Sequence, residues 1–427
     1  MASVAERRLG AVSNHISGQS DLVIVLPDGA RVTKARHADV DATQLLLDGK
    51  RIVDFRIISD KTFAYDLSAI STRYESATTH VPKYKLVQIN PSVPGVAATS
   101  CTIPDFWTVI YAFFTLYHEQ EYVPISISTL QNAPEISNYL ITTGLGRLYP
   151  SKRLNHQDLP DVDREHYLDR SAFWQGGGIA GYHDRFWIPN PRPVYPQVMG
   201  FTRKENVIAK HPVRPPKPQP GEVLYRRWCS AVGQMLELTY FDIDGVSDPP
   251  QESQGGVSRH MAAFHRWHND ERVNSAWGEK GGLETHRDYV RGVLADPHCL
   301  PCMFSWDGDL MGYVEVVFSK EDHSAPYFPF NDPPGEWDRG IHVLAGETKY
   351  LGNGRSDIWI RSLVHFIFLA DSRTNRVVGE PDNRNHAILK VAHTAEFYQS
   401  LIFDFPYKRS VMVLQTRDKF FTLCRLR

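Results

Sequence analysis

The sequence predicts a mixed α/β protein of two domains, each a mixed sheet with flanking helices. Three observations carry that expectation. The chain has 427 residues, too many for one compact core and suited to two domains of ordinary size. Short runs of strand-like alternation recur in both halves, interleaved with helix-period segments. Between the halves stands HPVRPPKPQPG, residues 211–221. Proline recurs there too often for a helix or a central strand, so the stretch reads as a semi-rigid extended linker. The expected layout is a tail over 1–20, an N-terminal α/β domain over 21–210, the linker over 211–221 and a second domain over 222–427.

The elements follow in order. LVIVLPDGARV is a hairpin signal, an apolar strand followed by Pro-Asp-Gly and a second strand. RIVDFRIIS and YKLVQINP are further strands, and TIPDFWTVIYAFFTLYHEQ is a helix with Pro104 in its first turn. The glycine triplet of FWQGGGIAGYHDRFW precedes no helix pattern and reads as a loop packed by aromatics. In the second half GEVLYRRWCSAVGQMLELTYFDI opens with strand-like residues, HMAAFHRWHNDERVNSAWGE is a helix pair, and HRDYVRGVLAD is an amphipathic helix. CLPCMFSWDGDLMGYVEVVFS is strand, turn, strand, and RGIHVLAGE is a short buried strand. After it come the helix DIWIRSLVHFIFLAD, a strand in TNRVVGEPDNRN, the helix NHAILKVAHTAEFY and a final strand in YKRSVMVLQTRDKFF.

Composition narrows the function classes. Lys and Arg number 47 against 49 Asp and Glu, a formal net charge of -2, so bulk charge gives no reason to expect nucleic acid or a membrane surface as partner. The longest apolar stretch, residues 106–117, is too short to span a bilayer. Five cysteines, an odd number, argue against a secreted disulfide scaffold. The lone Cys299-Leu-Pro-Cys302 lacks a second pair at zinc spacing and reads as structural, so no metal site is expected. RLGAVSNHI, residues 8–16, resembles the N-terminal peroxisomal targeting nonapeptide, with Arg8-Leu9 and His15-Ile16 as its paired ends. That resemblance implies the peroxisomal import receptor as a partner; an ordinary N-terminal segment is the other reading, with the cytoplasm as the location.

The segment GETKYLGNGRSDI, residues 346–358, sets two glycines between an apolar strand and a helix. Free N–H groups and the helix dipole make such a loop a phosphate cradle. It lacks both the Lys-Ser/Thr of a nucleotide P-loop and the full G-x-G-x-x-G of a dinucleotide site. On the strand before it, alternation sets His342 opposite Ile341 and Val343. After the next strand Pro381 stops the run, so Asp382, Asn383 and Asn385 project from its end, where open α/β sheets gather their ligands.

The order hairpin, strand, glycine loop, helix, strand, helix, strand is that of the GCN5-related N-acetyltransferase (GNAT) fold. Within it FSWDGDLMGYVEVV, DRGIHVLAGE, LGNGRSD, RVVGEPDNRN and DFPYKRSVMV together resemble the siderophore hydroxamate acyltransferases, fungal N5-hydroxyornithine acyltransferases and bacterial hydroxylysine acetyltransferases among them. The resemblance covers the chain from about Val223 onward and implies a GNAT fold there, with a degenerate copy in the first half that is non-catalytic. It implies acyl-CoA as co-substrate, with no tightly bound cofactor, and a hydroxylated amino acid as acceptor. Lys349 falls where the family has Gln or Arg, Gly352 and Gly354 fall in its glycine places, and Leu351, Asn353, Arg355 and Ser356 complete the CoA loop. His342 and Asp382 are implied as the catalytic pair, with Glu380 as the alternative acid. Trp306, Asp307, Glu380, Asn383, Asn385, Trp267 and Arg272 are implied to border the acceptor; Arg272 beside Asp270 reads equally as a structural ion pair. The peroxisome-like terminus favours an anhydromevalonyl donor over acetyl-CoA. The first half is expected to support a homodimer or to cover the acceptor site.

Overall fold

The computed structural model describes residues 21–36, 41–64, 83–90, 99–148, 165–192, 198–204, 206–248, 256–352, 354–423 and 425–427. The targeting-like segment 8–16 and Asn353 lie outside them. The chain forms two compact units, Met1–Phe186 with Arg425–Arg427, and Trp187–Cys424.

The first unit runs β1 (Leu22–Val25), β2 (Arg31–Arg36), β3 (Thr43–Leu47), β4 (Lys50–Ala64), β5 (Lys83–Ile89), α1 (Ile103–Leu116), β6 (Tyr122–Ser126), α2 (Ala133–Thr142), β7 (Gly146–Leu148), β8 (His166–Asp169) and α3 (Arg170–Trp174). Helix α1 starts where Thr102 accepts from the Asp105 N–H, with Pro104 in the first turn, and it is buried continuously from Phe106 to Phe114. It is therefore the core helix of this unit, not an amphipathic surface helix. The glycine triplet packs as its aromatic neighbours suggested. The Tyr139 hydroxyl donates to the Gly178 carbonyl at 2.8 Å, and Trp107 Nε1 donates to that of Gly177 at 3.3 Å.

The second unit opens with the hairpin β9 (Met199–Lys204) and β10 (Val207–Pro212). It continues with β11 (Val223–Cys229), β12 (Gln234–Tyr240), α4 (Arg259–His268), α5 (Glu271–Trp277), α6 (Leu283–Ala295), β13 (Cys299–Trp306), β14 (Asp309–Phe318) and β15 (Arg339–Ala345). It closes with α7 (Arg355–Ala370), β16 (Arg376–Gly379), α8 (His386–Thr394), β17 (Tyr398–Asp404), β18 (Arg409–Thr416) and α9 (Arg417–Leu423). One core cluster gathers Phe264, Trp267 and Val290 from α4 and α6 against Met303, Tyr313 and Leu344 of the sheet. The Pro-rich stretch 211–221 is no free linker. His211 and Pro212 close β10, and Arg214 is buried with its Nε 3.1 Å from Glu321 Oε2 and its Nη1 donating to the Glu336 carbonyl. An arginine buried against a carboxylate pins this run to the second unit, whose first residue is Trp187.

The two sheets have the same plan. Their strand orders are β1-β2-β3-β4-β5-β6-β8-β7 and β11-β12-β13-β14-β15-β16-β18-β17. In each, the parallel pair is the fifth and sixth strand, recorded over only two residue pairs: Val87–Ile125 and Gln88–Ser126 in the first, Arg339–Val377 and Gly340–Val378 in the second. The main difference is the link from second to third strand. Residues 37–42 make it in the first unit, whereas residues 241–298 carry α4, α5 and α6 in the second.

Candidate active site

Beyond Gly340 and Val378 strands β15 and β16 no longer pair, and the sheet opens there. Two residues further along β15 stands His342; two residues past Val378, just beyond the end of β16, stands Glu380. His342 Nε2 lies 3.0 Å from Glu380 Oε1, and its Nδ1 lies 2.9 Å from Oε2 of Glu315, directly across on β14. The other Glu315 oxygen accepts from the hydroxyls of Tyr289 at 2.8 Å and Tyr313 at 2.9 Å. Both carboxylates are buried, and the imidazole keeps 23% of its exposure, so the imidazole is the part that opens outward.

The electrostatics follow from this sandwich. Burial opposes charge on His342, yet the Glu380 carboxylate, then the hydrogen bonds to both glutamates, hold its pKa well above the usual imidazole value. Burial likewise pushes Glu315 up, but the His342 bond and the two tyrosine hydroxyls outweigh it and hold that carboxyl below its ordinary value. Two carboxylates flank the ring and favour its charged form. Beside it, burial raises Asp322 while His323, bonded to it at 3.2 Å, pulls it down to a net depression. Asp322, His323 and His342 present donor atoms within 4.8 Å of one another, a spacing that could take a cation. Each imidazole nitrogen of the set already has a carboxylate or hydroxyl partner, so a cation would have to displace one of them.

Past Ala345 the chain turns through Thr348–Tyr350 and enters α7 at Gly354. Gly352 has φ 78° and Gly354 φ 71°, left-handed values that a side chain makes costly. A Cβ on either glycine would meet only open space or the far side of Asp357, so conformation and not crowding requires glycine there. No side chain caps α7, which leaves its first-turn N–H groups facing outward for an anion. Arg355, the first helical residue, donates to Gln234 Oε1 at 2.9 Å, and Ser356 follows in the same turn. Lys349 pairs with Asp309, which also accepts from the Tyr350 hydroxyl at 2.6 Å. Leu351 is exposed.

Several residues take other positions than the sequence suggested. Asp382 does not meet His342. Its carboxylate is chelated by Arg384, with Nε at 3.0 Å and Nη2 at 2.8 Å, and its backbone bridges to Ser410. The chain turns one step past Glu380, so the nearer acid and not the further one reaches the imidazole. Asn385 caps α8 by accepting from the Ile388 N–H, and Asn383 bonds through its backbone to Arg409. Trp306 is fully buried at the end of β13. Asp307 turns the chain with φ 50° and holds the Met235 N–H at 2.9 Å and the Gln234 amide at 3.0 Å. Through Gln234 this turn steadies Arg355 at the start of α7. Trp267 donates to Glu347 at 2.9 Å, and a Cβ on Gly346 would fall on its ring. Arg272 donates to the carbonyls of Ala345 at 2.9 Å and Gly346 at 2.8 Å. The helix pair thus grips the end of β15 and aims the loop.

The sequence profile of the acetyltransferase (GNAT) domain matches residues 256–405. The acyltransferase ato1 of Omphalotus olearius is 34% identical over 337 residues, 77% of this chain and 79% of that protein. The chain is a GNAT acyltransferase. The acyltransferase is also 31% identical to the hydroxyornithine transacylase SID3 of Ajellomyces capsulatus, over 75% of its own length and 72% of the relative's. It is 30% identical to the N(5)-hydroxyornithine:cis-anhydromevalonyl coenzyme A-N(5)-transacylase SIDF of Beauveria bassiana, over 77% and 75%. No helix among its described residues is long and apolar enough to cross a membrane. Its cysteines Cys101, Cys229, Cys299 and Cys302 are free and buried, and burial raises their thiol pKa values, which suits packing and not nucleophilic work.

Proposed function

We propose that the acyltransferase moves an acyl group from CoA to the side-chain hydroxylamine nitrogen of N5-hydroxyornithine, forming a hydroxamate, with anhydromevalonyl as the acyl unit. The observation that carries this reading is the Glu315–His342–Glu380 sandwich at the opening between β15 and β16, below a loop fit for a pyrophosphate. The two named transacylases support the acceptor, and the Beauveria relative supports the donor. CoA phosphates rest on the α7 N-terminus and the backbone around Gly352 and Gly354, with Lys349 as a nearby charge.

The chemistry needs a proton moved from nitrogen to sulfur. A lysine-like amine is mostly protonated at neutral pH; a hydroxylamine nitrogen is far less basic and arrives neutral. Its lone pair attacks the thioester carbonyl, and its N–H proton passes to the Glu380 carboxylate. As the tetrahedral intermediate collapses, the carbon–sulfur bond breaks and the thiolate takes the proton from His342 Nε2. Proton transfer from Glu380 back to Nε2 restores the imidazolium. Glu315, fixed by two tyrosines, keeps the ring oriented throughout. The first unit takes no part in this step, and the nonapeptide at 8–16 directs the protein to the peroxisome.

The test is free-thiol release with N5-hydroxyornithine and either anhydromevalonyl-CoA or acetyl-CoA. Faster turnover with anhydromevalonyl-CoA is the expected result. Preference for acetyl-CoA corrects the donor, and no release with either sinks the reading. Cytosolic fluorescence of a fusion to residues 1–18 overturns the peroxisomal address.

A further inference from the structure

Next to the catalytic imidazole stands a second one that the reaction above does not use. His323 lies in the turn after β14, its ring centroid 5.9 Å from that of His342. Asp322, 4% exposed, holds its Nδ1 at 3.2 Å. That bond leaves Nε2 pointing outward, where it meets only the Tyr407 hydroxyl at a loose 3.3 Å. Tyr407 sits on the tip between β17 and β18 and is 68% exposed. Phe405 flanks both groups, 5.0 Å from the imidazole and stacked at 5.3 Å on the tyrosine. A buried aspartate, a ring wedged against a phenylalanine and two polar tips joined by one long contact make a built site whose outer pair a ligand can part.

We propose that His323 Nε2 and the Tyr407 hydroxyl together bind the carboxylate of the amino-acid acceptor. This rests on the acceptor class proposed above. Both groups offer an N–H or O–H to the same point, as a carboxylate requires. The charge suits it: the bond to Asp322 is the main cause raising the His323 pKa, against burial, and Glu380 adds to it while His342 opposes. The other charges on this side are the Asp322 and Glu380 carboxylates, which act on His323 and Tyr407 alike, and Lys408, whose ammonium donates to the Glu380 carbonyl at 2.9 Å. Reach is compatible with it: five bonds separate the reacting nitrogen of N5-hydroxyornithine from its carboxylate carbon, about 6 Å when extended, and the two imidazoles are neighbours, 5.9 Å ring to ring.

The experiment compares two acceptors with one donor: N5-hydroxyornithine and N-hydroxyputrescine, which is the same chain without the carboxylate. In the wild-type protein kcat/KM favours N5-hydroxyornithine. In His323→Ala that preference falls roughly ten- to a hundredfold, the loss of a charge-assisted hydrogen bond, through KM, while turnover of N-hydroxyputrescine changes less than about threefold. Tyr407→Phe, whose exposed position tolerates the change, moves the same ratio by a smaller factor. Equal falls for both acceptors in His323→Ala, or an unchanged ratio in both variants, overturn the proposal. Absence of turnover with either acceptor in the wild type is a failure of the hydroxylamine reading itself.

Discussion

Glu380 and Asp382 stand two positions apart, and their surroundings divide them. Glu380 is buried and bonded to His342, whereas Asp382 is held by Arg384. Glu380→Gln should lower kcat on the order of a hundred- to a thousandfold, the usual weight of a proton-transfer group, with KM little changed. Asp382→Asn should cost less than about threefold. Steady-state thiol release from the two variants decides the point; equal losses reassign the base. His342 was legible because a histidine in a short apolar strand before a glycine loop is conspicuous. Glu315 was equally conspicuous in hindsight, a lone carboxylate in GYVEVVFS, where β-branched neighbours imply burial and a buried acid implies a partner. The choice between Glu380 and Asp382 was not legible, because it depends on where the backbone turns after Pro381.

At the scale of elements, the strand–loop–helix unit is held by contacts from outside it. Arg272 binds the last carbonyls of β15, Trp267 lies on Gly346, and Asp307 steadies Arg355 through Gln234. Arg272→Ala should therefore raise KM for acyl-CoA several-fold while leaving kcat at saturation close to wild type, because it loosens the loop and not the imidazole. Gly354→Ala should cost about 1–2 kcal/mol of stability for the left-handed residue, read from the urea midpoint, with weaker CoA binding by calorimetry. Most elements were readable from period and turn residues. Among the exceptions is β17: the helix pattern runs to Tyr398 and predicts no strand over Tyr398–Asp404. Glu396, at φ 67°, breaks α8 in a left-handed conformation, and a glutamate gives no warning of that as a glycine would. The short strands of the first unit were equally silent, since β7 and β8 hold three and four residues and carry too little pattern.

For the whole molecule, acid should weaken the fold through histidines buried as neutral rings. Burial lowers His260 to about 3 and His268 to about 4, and His260 Nδ1 accepts the Asp242 N–H. An unfolded histidine protonates near pH 6.5. Between pH 6.5 and those folded values the unfolded chain takes up protons that the folded chain refuses, so stability falls as pH falls through that window and is unaffected by these groups above it. Urea midpoints at pH 7 and pH 4.5 should differ, and His260→Gln should shrink the difference; a flat profile refutes the account.

The shared plan of the two sheets has a consequence for the site. Two positions past the last parallel pair, where the second unit has His342 and Glu380, the first has Asn90 and Ser128. Across the sheet, where Glu315 faces His342, Asp54 exchanges backbone and amide bonds with Asn90 at 2.7 and 2.8 Å and is chelated by Arg51. Neither an amide nor an aliphatic hydroxyl changes its charge near neutral pH, as an imidazole does. The first unit thus repeats the strand plan of the second with an amide and a hydroxyl at the positions of the imidazole and the carboxylate. Writing the first unit's residues into the second, as Glu315→Asp with His342→Asn, would measure how much fold stability the reaction withholds.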